Sequence, residues 1–177
     1  MLAGGSAAAD FALDAGHTVV HFAVSHYDLS LVRGRIPKVA GSVQFDPASR
    51  TGAIDVRVDL DSLDTGNRTL DQILRSDQFL DTARYGDVRY AGNDVVFDGD
   101  RLKAIDGTLI LHGVARPVRL AAQRFGCREV KLGLAGRQVC GGEFTATIRR
   151  SDFGMTHMLP DVGDAVELSI DVEATRK

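Results

Sequence analysis

The chain has 177 residues, of which 44% are hydrophobic and 25% charged, and its formal net charge at pH 7 is −3. This length suits one domain with a sizeable core, while the acidic balance argues against nucleic-acid binding, which normally requires a basic surplus. Basic residues are dispersed and no run reaches the roughly 18 apolar residues of a membrane span, so stable membrane insertion is not expected.

The first residues, MLAGGSAAA, are small and uncharged. They lack the basic start and the long apolar run of an intact signal peptide. We therefore expect residues 1–10 to be a disordered tail or the remnant of a processed signal peptide, and residues 11–177 to form the folded domain.

The segment HTVVHFAVSH, from His17 to His26, contains three of the five histidines. Its β-branched and aromatic residues predict a strand. On a strand His17 and His21 are about 13 Å apart, so they cannot bind one metal ion, and no metal site is expected. His26 falls on the apolar face with Phe22 and Val24, where it is either a structural residue or a polar anchor at the mouth of a cavity.

Alternation of apolar and polar residues predicts further strands, each with one face buried and the other in water. In GAIDVRVDLDSL, the apolar set Ile54, Val56 and Val58 alternates with aspartate and arginine. The predicted strands after the first lie near residues 38–45, 54–60, 86–91, 101–112, 117–125, 143–149 and 165–174. Turn-forming residues predict turns in DPASRTG, AGND, DGD and HGVARP.

In one segment the spacing of the apolar residues changes from two residues to three and four. Leu70, Ile73 and Leu74 are spaced by three and four residues, which predicts an amphipathic helix over about 68–76. Asn67 is its candidate N-cap, and Asp71 lies in its first turn.

Two cysteines, Cys127 and Cys140, flank the glycine-bearing sequence LGLAG. A hairpin centred there would place the thiols opposite each other and allow a disulfide, which implies an oxidising compartment. The alternative is two unrelated buried thiols.

About eight antiparallel strands and one helix favour a mainly β protein, an up-and-down barrel closed or nearly so. Such a barrel can hold a small ligand, and its apolar inner faces predict a hydrophobic interior. Periodicity alone leaves open whether that interior is hollow or filled by side chains. The chain carries no G-x-S-x-G elbow and no flavin, haem or metal signature, so an enzyme is not expected.

Several sequence blocks, in order, resemble the YceI-like, lipocalin-like polyisoprenoid-binding family. The blocks are LDAGHTVVHFAVSHYDLSLVRGRI (13–36), SLDTGNRTLDQILRSDQFLD (62–81), GTLILHGVARPVRL (107–120), RSDFGM (150–155) and VGDAVELSI (162–170). Leu80 stands where the family usually has a second phenylalanine, and Gly86 where it favours proline after tyrosine.

The resemblance implies an eight-stranded antiparallel, lipocalin-like barrel with one short amphipathic helix around a hydrophobic cavity. It also implies a periplasmic or secreted protein that carries or sequesters an isoprenoid-tailed lipid, of the octaprenyl or ubiquinone type. No catalytic cofactor is expected, and a homodimer through an exposed strand face is compatible with the sequence.

Residues expected at the ligand fall into two groups. The cavity lining is predicted to comprise Phe22, Val24, Ile54, Val56, Val58, Leu70, Ile73, Leu74, Phe79, Phe153 and Met155. The predicted polar anchors at the mouth are His26, Arg75 and Asp152, and an ion pair between Arg75 and Asp152 that ties the helix to the barrel is an equal alternative.

The sequence leaves three other functions open. The same fold could sequester other long-chain amphiphiles or hydrophobic drugs in stress defence. A quinone-linked redox enzyme is a candidate of another class. An interaction module with a filled interior is the third.

Overall fold

A computed structural model describes residues 8–46, 48–132 and 135–177. The strands are β1 Ala9–Leu13, β2 Val19–His26, β3 Ser30–Ile36, β4 Val39–Asp46, β5 Thr51–Asp59, β6 Asp87–Asp98, β7 Arg101–Leu111, β8 Val114–Leu132, β9 Ala135–Arg149 and β10 Val162–Arg176. The α-helix α1 is Arg68–Arg75, and short 3-10 helices occupy Leu60–Ser62 and Arg150–Phe153. The first seven residues of the predicted tail lie outside the described residues.

The strands form a closed antiparallel barrel of eight strands. β1 and β2 follow one another along the same edge of β10, with Phe11 opposite Arg176 and Phe22 opposite Leu168. β3 pairs with β2, and β4 pairs with β1. In the ring, β1 and β2 therefore count as one interrupted strand, and β3 and β4 count as another. β4 then continues through β5, β6, β7, β8 and β9 to β10, which closes the ring. The predicted up-and-down barrel is confirmed.

The period-2 pattern sorts side chains between the two faces of the barrel, as predicted. On β5, Val56 and Val58 are each 8% exposed and belong to the core. On the outer face, Asp55 forms an ion pair with Arg89 of the neighbouring strand, at 2.6 Å. Alternation therefore produces an apolar interior and a charged exterior.

The predicted helix is present, and its N-cap is confirmed. Asn67 Oδ1 accepts hydrogen bonds from the backbone N–H groups of Thr69, at 3.1 Å, and Leu70, at 3.2 Å. The carboxylate of Asp71 accepts from the backbone N–H of Thr65 at 2.8 Å and so fixes the loop that enters the helix. α1 and the loop that precedes it lie over the β3–β5 side of one end of the barrel, which is called here the helix end.

The two cysteines form the expected disulfide. Cys127 on β8 lies directly opposite Cys140 on β9, and their Cα atoms are 4.0 Å apart. Residues 133–134, at the centre of the predicted hairpin turn, lie outside the described residues.

One turn prediction was wrong. AGND, residues 91–94, lies inside strand β6 instead of ending it. A β-bulge between Gly92 and Asp94 absorbs the turn-forming residues, so the strand continues to Asp98. The turn-forming residues therefore disturb the pairing of β6 locally but do not end the strand.

Candidate functional site

The barrel encloses a cavity of about 220 Å³ that extends from the helix end to the middle of the barrel. The interior is therefore hollow there, a point that periodicity left open. Eight of the predicted lining residues form part of its wall: Phe22, Val24, Ile54, Val56, Val58, Leu74, Phe79 and Met155.

Glycines let two aromatic side chains of the wall lie flat against the sheet. A Cβ at Gly34 would collide with the ring of Phe22 on the neighbouring strand, and one at Gly107 would collide with the ring of Tyr90. Both rings line the cavity. The two glycines belong to blocks that carry the family resemblance, and their physical role is to make room for these rings.

Polar groups in the wall are already bonded to the protein backbone. The hydroxyl of Thr18 donates to the Glu173 carbonyl at 3.2 Å. The hydroxyl of Tyr90 shares its proton between the carbonyls of Ile105, at 3.0 Å, and Val118, at 3.1 Å. Burial raises the pKa of Tyr90, with a smaller contribution from nearby Asp106, so the phenol stays neutral. These side chains leave the cavity with an apolar surface.

Arg150 is the one charged side chain among the described residues of the wall, and it is only 6% exposed. Its Nε donates to the Gly163 carbonyl at 2.9 Å and its Nη2 to the Val162 carbonyl at 2.8 Å. Longer contacts of 3.3 Å reach the carbonyls of Met155 and His157. Burial lowers the pKa of this arginine, but the group remains a cation. Its donors are occupied, so Arg150 fixes the segment 155–163 rather than presenting a free charge to a ligand.

A carboxylate next to this segment anchors the 3-10 helix Arg150–Phe153. Asp164 accepts from the backbone N–H of Ser151 at 2.8 Å and from its hydroxyl at 2.7 Å, and it pairs with Arg149 at 2.9 Å. The bond from the Ser151 backbone is the main reason that the pKa of Asp164 falls to about 2.

Three predicted lining residues are not part of the wall. Ile73 is 46% exposed, because the short helix turns Leu74 toward the barrel and Ile73 toward solvent. Leu70 lies one turn before Leu74 and is only half-buried. Phe153 is 1% exposed and packs within the core beside Met155, so the wall covers it.

The predicted polar anchors also lie outside the wall. His26 ends β2 and packs edge-on against Tyr27, at 4.5 Å between ring centroids. Arg75 donates to the carbonyl of Leu63, and Asp152 is exposed. No ion pair joins Arg75 to Asp152 within the described part of the chain. The bond from Arg75 instead ties the end of the helix to the loop that precedes it.

Sequence reasoning missed Arg150 and Tyr90. Tyr90 could have been found, because it alternates with Val88 on a predicted strand. Arg150 also continues the inward alternation of Phe144 and Ile148 at the end of β9, but an arginine on an inward face is rarely buried, so it was not expected there.

A second, smaller cavity of about 70 Å³ lies at the opposite end of the barrel, which is called here the disulfide end. Phe11, Phe45, Phe125 and Cys140 contribute to its wall. Within the described ranges, four residues line both cavities: Ile54, Ile105, Phe144 and Val172.

A charged cluster joins the start of β2 to the end of β10. His17 Nδ1 lies 3.0 Å from Asp14 and 4.0 Å from Glu173. The hydrogen bond to Asp14 is the main reason that the pKa of His17 is raised. His21 lies instead beside Asp171, at 3.8 Å. The cluster is exposed, and the carboxylates account for the position of His17.

No helix in the described ranges is both long and apolar enough to cross a membrane.

The comparisons with known proteins agree along nearly the whole chain. A family model described as "YceI-like domain" matches residues 11–174. A UPF0312 protein of Ectopseudomonas mendocina is 31% identical over 180 residues, which cover 100% of this chain and 93% of the relative. The crystal structure of a Campylobacter jejuni YceI protein has a TM-score of 0.72 and 27% identity, over 86% of this chain and 90% of that one. A Saccharophagus degradans domain, described as polyisoprenoid binding, has a TM-score of 0.68 at 19% identity, over 96% and 99%, and shares the fold.

Proposed function

The chain belongs to the family of YceI-like domains, and on that premise we propose that it binds a lipid through an isoprenoid tail, of the polyprenyl or quinone type, inside its barrel. Binding serves to carry or sequester the lipid. The structural neighbour from Saccharophagus degradans bears the description of a polyisoprenoid-binding domain, and that name supports the choice of ligand class.

The observation that carries the proposal is the chemistry of the cavity wall. Its carbon surface is continuous, and the polar groups of Thr18, Tyr90 and Arg150 are bonded to backbone carbonyls. Among the described residues of the wall, a ligand group therefore finds no free hydrogen-bond partner, which favours a hydrocarbon tail over a polar molecule. Each buried methylene contributes about 0.8 kcal/mol, so several buried carbons offset part of the free-energy loss on association.

The proposed location is the periplasm or the exterior of the cell. The disulfide between Cys127 and Cys140 supports it, because such bonds persist in oxidising compartments. Localisation of the natural gene product by cell fractionation tests this part of the proposal, and recovery with the cytosol would contradict it.

The experiment for the ligand is native mass spectrometry of the purified protein, followed by organic extraction and lipid identification. We expect a one-to-one adduct with an isoprenoid-tailed lipid. A different bound amphiphile would retain a binding function and change the ligand class to broader sequestration. A protein that is free of lipid and takes up no added prenyl alcohol or quinone would contradict lipid binding altogether.

A further inference from the structure

The two cavities meet inside the barrel at a shared set of residues. The four residues that both cavities share, Ile54, Ile105, Phe144 and Val172, are defined here as the waist. They come from strands β5, β7, β9 and β10. In a ring of eight strands β9 is the fourth strand from β5 in either direction, so Phe144 and Ile54 face each other across the barrel.

Phe144 is the bulkiest member of the waist and is 4% exposed. Behind it lies Phe125, at 6.4 Å between ring centroids, and Phe125 in turn packs edge-on against Phe45 at 5.1 Å. This aromatic cluster surrounds the small cavity at the disulfide end. A tail that enters from the helix end would meet the Phe144 ring before it could reach the space beyond.

The larger cavity has a defined depth along β9. Ile148 lines it near the helix end and Phe144 lines its floor, four residues along the strand. Four residues of a strand span about 13 Å, which corresponds to a depth of about 10 Å along the barrel axis because the strands of a barrel tilt by about 40°. A tail longer than this depth must fold back, stay partly outside the barrel or displace the Phe144 ring toward the small cavity.

We propose that the waist, and Phe144 above all, sets the length of isoprenoid tail that the protein binds. This inference rests on the proposed function and specifies the ligand within it. Affinity rises with each carbon that is buried above the waist and stops rising once the tail reaches Phe144.

The test compares variants of Phe144 with a matched control on the same strand. Phe144→Ala is expected to join the two cavities. Phe144→Leu replaces the ring with a smaller side chain and disturbs the core less. Ile148→Ala is the control, because Ile148 lines the larger cavity alone and its truncation widens that cavity without opening the waist. Circular dichroism establishes which variants are folded.

The measurement is the dissociation constant for a series of prenyl alcohols from geraniol to solanesol. In the wild type, affinity is expected to rise along the series and then level off. In Phe144→Ala the levelling moves to a longer alcohol, and the first alcohol beyond the wild-type limit binds at least about tenfold more tightly, since each buried methylene changes affinity about fourfold. In Phe144→Leu, the chain length at which affinity levels off increases by a smaller amount. In Ile148→Ala, this chain length stays the same.

Separate outcomes identify separate failures. A wild-type series that never levels off, or a limit that stays fixed in whichever Phe144 variant folds, would overturn the role of the waist while lipid binding stands. A wild type that binds none of the alcohols would overturn the proposed function, and the waist proposal with it.

Discussion

Replacing Arg150 with leucine tests how the segment 155–163 is held at the helix end. The substitution removes five N–H···O contacts to the carbonyls of Met155, His157, Val162 and Gly163. Hydrogen bonds from a charged group contribute about 1.5–3 kcal/mol each. The total loss is smaller than five such bonds, because two contacts share the His157 carbonyl and the freed carbonyls bind water in the variant. We therefore expect the free energy of unfolding to fall by about 3–5 kcal/mol.

Urea denaturation followed by circular dichroism measures this change. Arg150→Lys keeps the charge without the planar fork, so it should lose an intermediate amount. Arg149→Leu is the matched control: its side chain is 68% exposed, and loss of its ion pair with Asp164 should change stability by less than about 1 kcal/mol. If the Arg149 and Arg150 variants lost equal stability, the buried hydrogen bonds of Arg150 would not be the cause.

Three other predictions concern stability. Asn67→Ala should lower the free energy of unfolding by about 1 kcal/mol in urea denaturation, because it removes the N-cap of α1, while Asn67→Gly should lose only a few tenths. Reduction of Cys127–Cys140 should lower it by about 3 kcal/mol, given the separation of 13 residues; an equal effect of reductant on a double serine variant would exclude the disulfide as the cause. Asp164 has a folded-state pKa of about 2, below the ordinary 3.8, so its contribution is present above pH about 4 and is lost as the pH falls toward 2. Solvent screening reduces it to about 1 kcal/mol, and Asp164→Asn should flatten the acid limb of the stability–pH curve.

Alternation of apolar and polar residues was sufficient to predict eight of the ten strands in the described residues, but not the short strands β1 and β3. On β5, where the alternation is regular, Val56 and Val58 face the interior and Asp55 faces outward. Each of the predicted strands occurs, and the one helix begins after its predicted cap at Asn67. Local signals sufficed because an up-and-down barrel pairs strands that are mostly neighbours in sequence.

The cavity wall was predictable only in part. Residues on regular strands, such as Val24 and Val58, lie where alternation places them. Ile73 and Phe153 do not line the cavity, because the orientation of a short helix or a 3-10 turn depends on how it docks, which periodicity does not encode. Arg150 is in phase with the inward residues of β9 and was missed because arginine is seldom buried. The waist could not be predicted from the sequence either, because its residues come from strands on opposite sides of the barrel and local periodicity does not show which of them meet.

The most direct measurement is the affinity for farnesol of two tryptophan variants on one strand. Leu109 faces the cavity, while its neighbour Ile110 faces outward and is 37% exposed. If the tail lies in the barrel, Leu109→Trp fills its site and weakens binding at least about tenfold, while Ile110→Trp leaves the affinity unchanged. Equal affinity in the wild type and a folded Leu109→Trp variant would contradict a ligand site in this cavity.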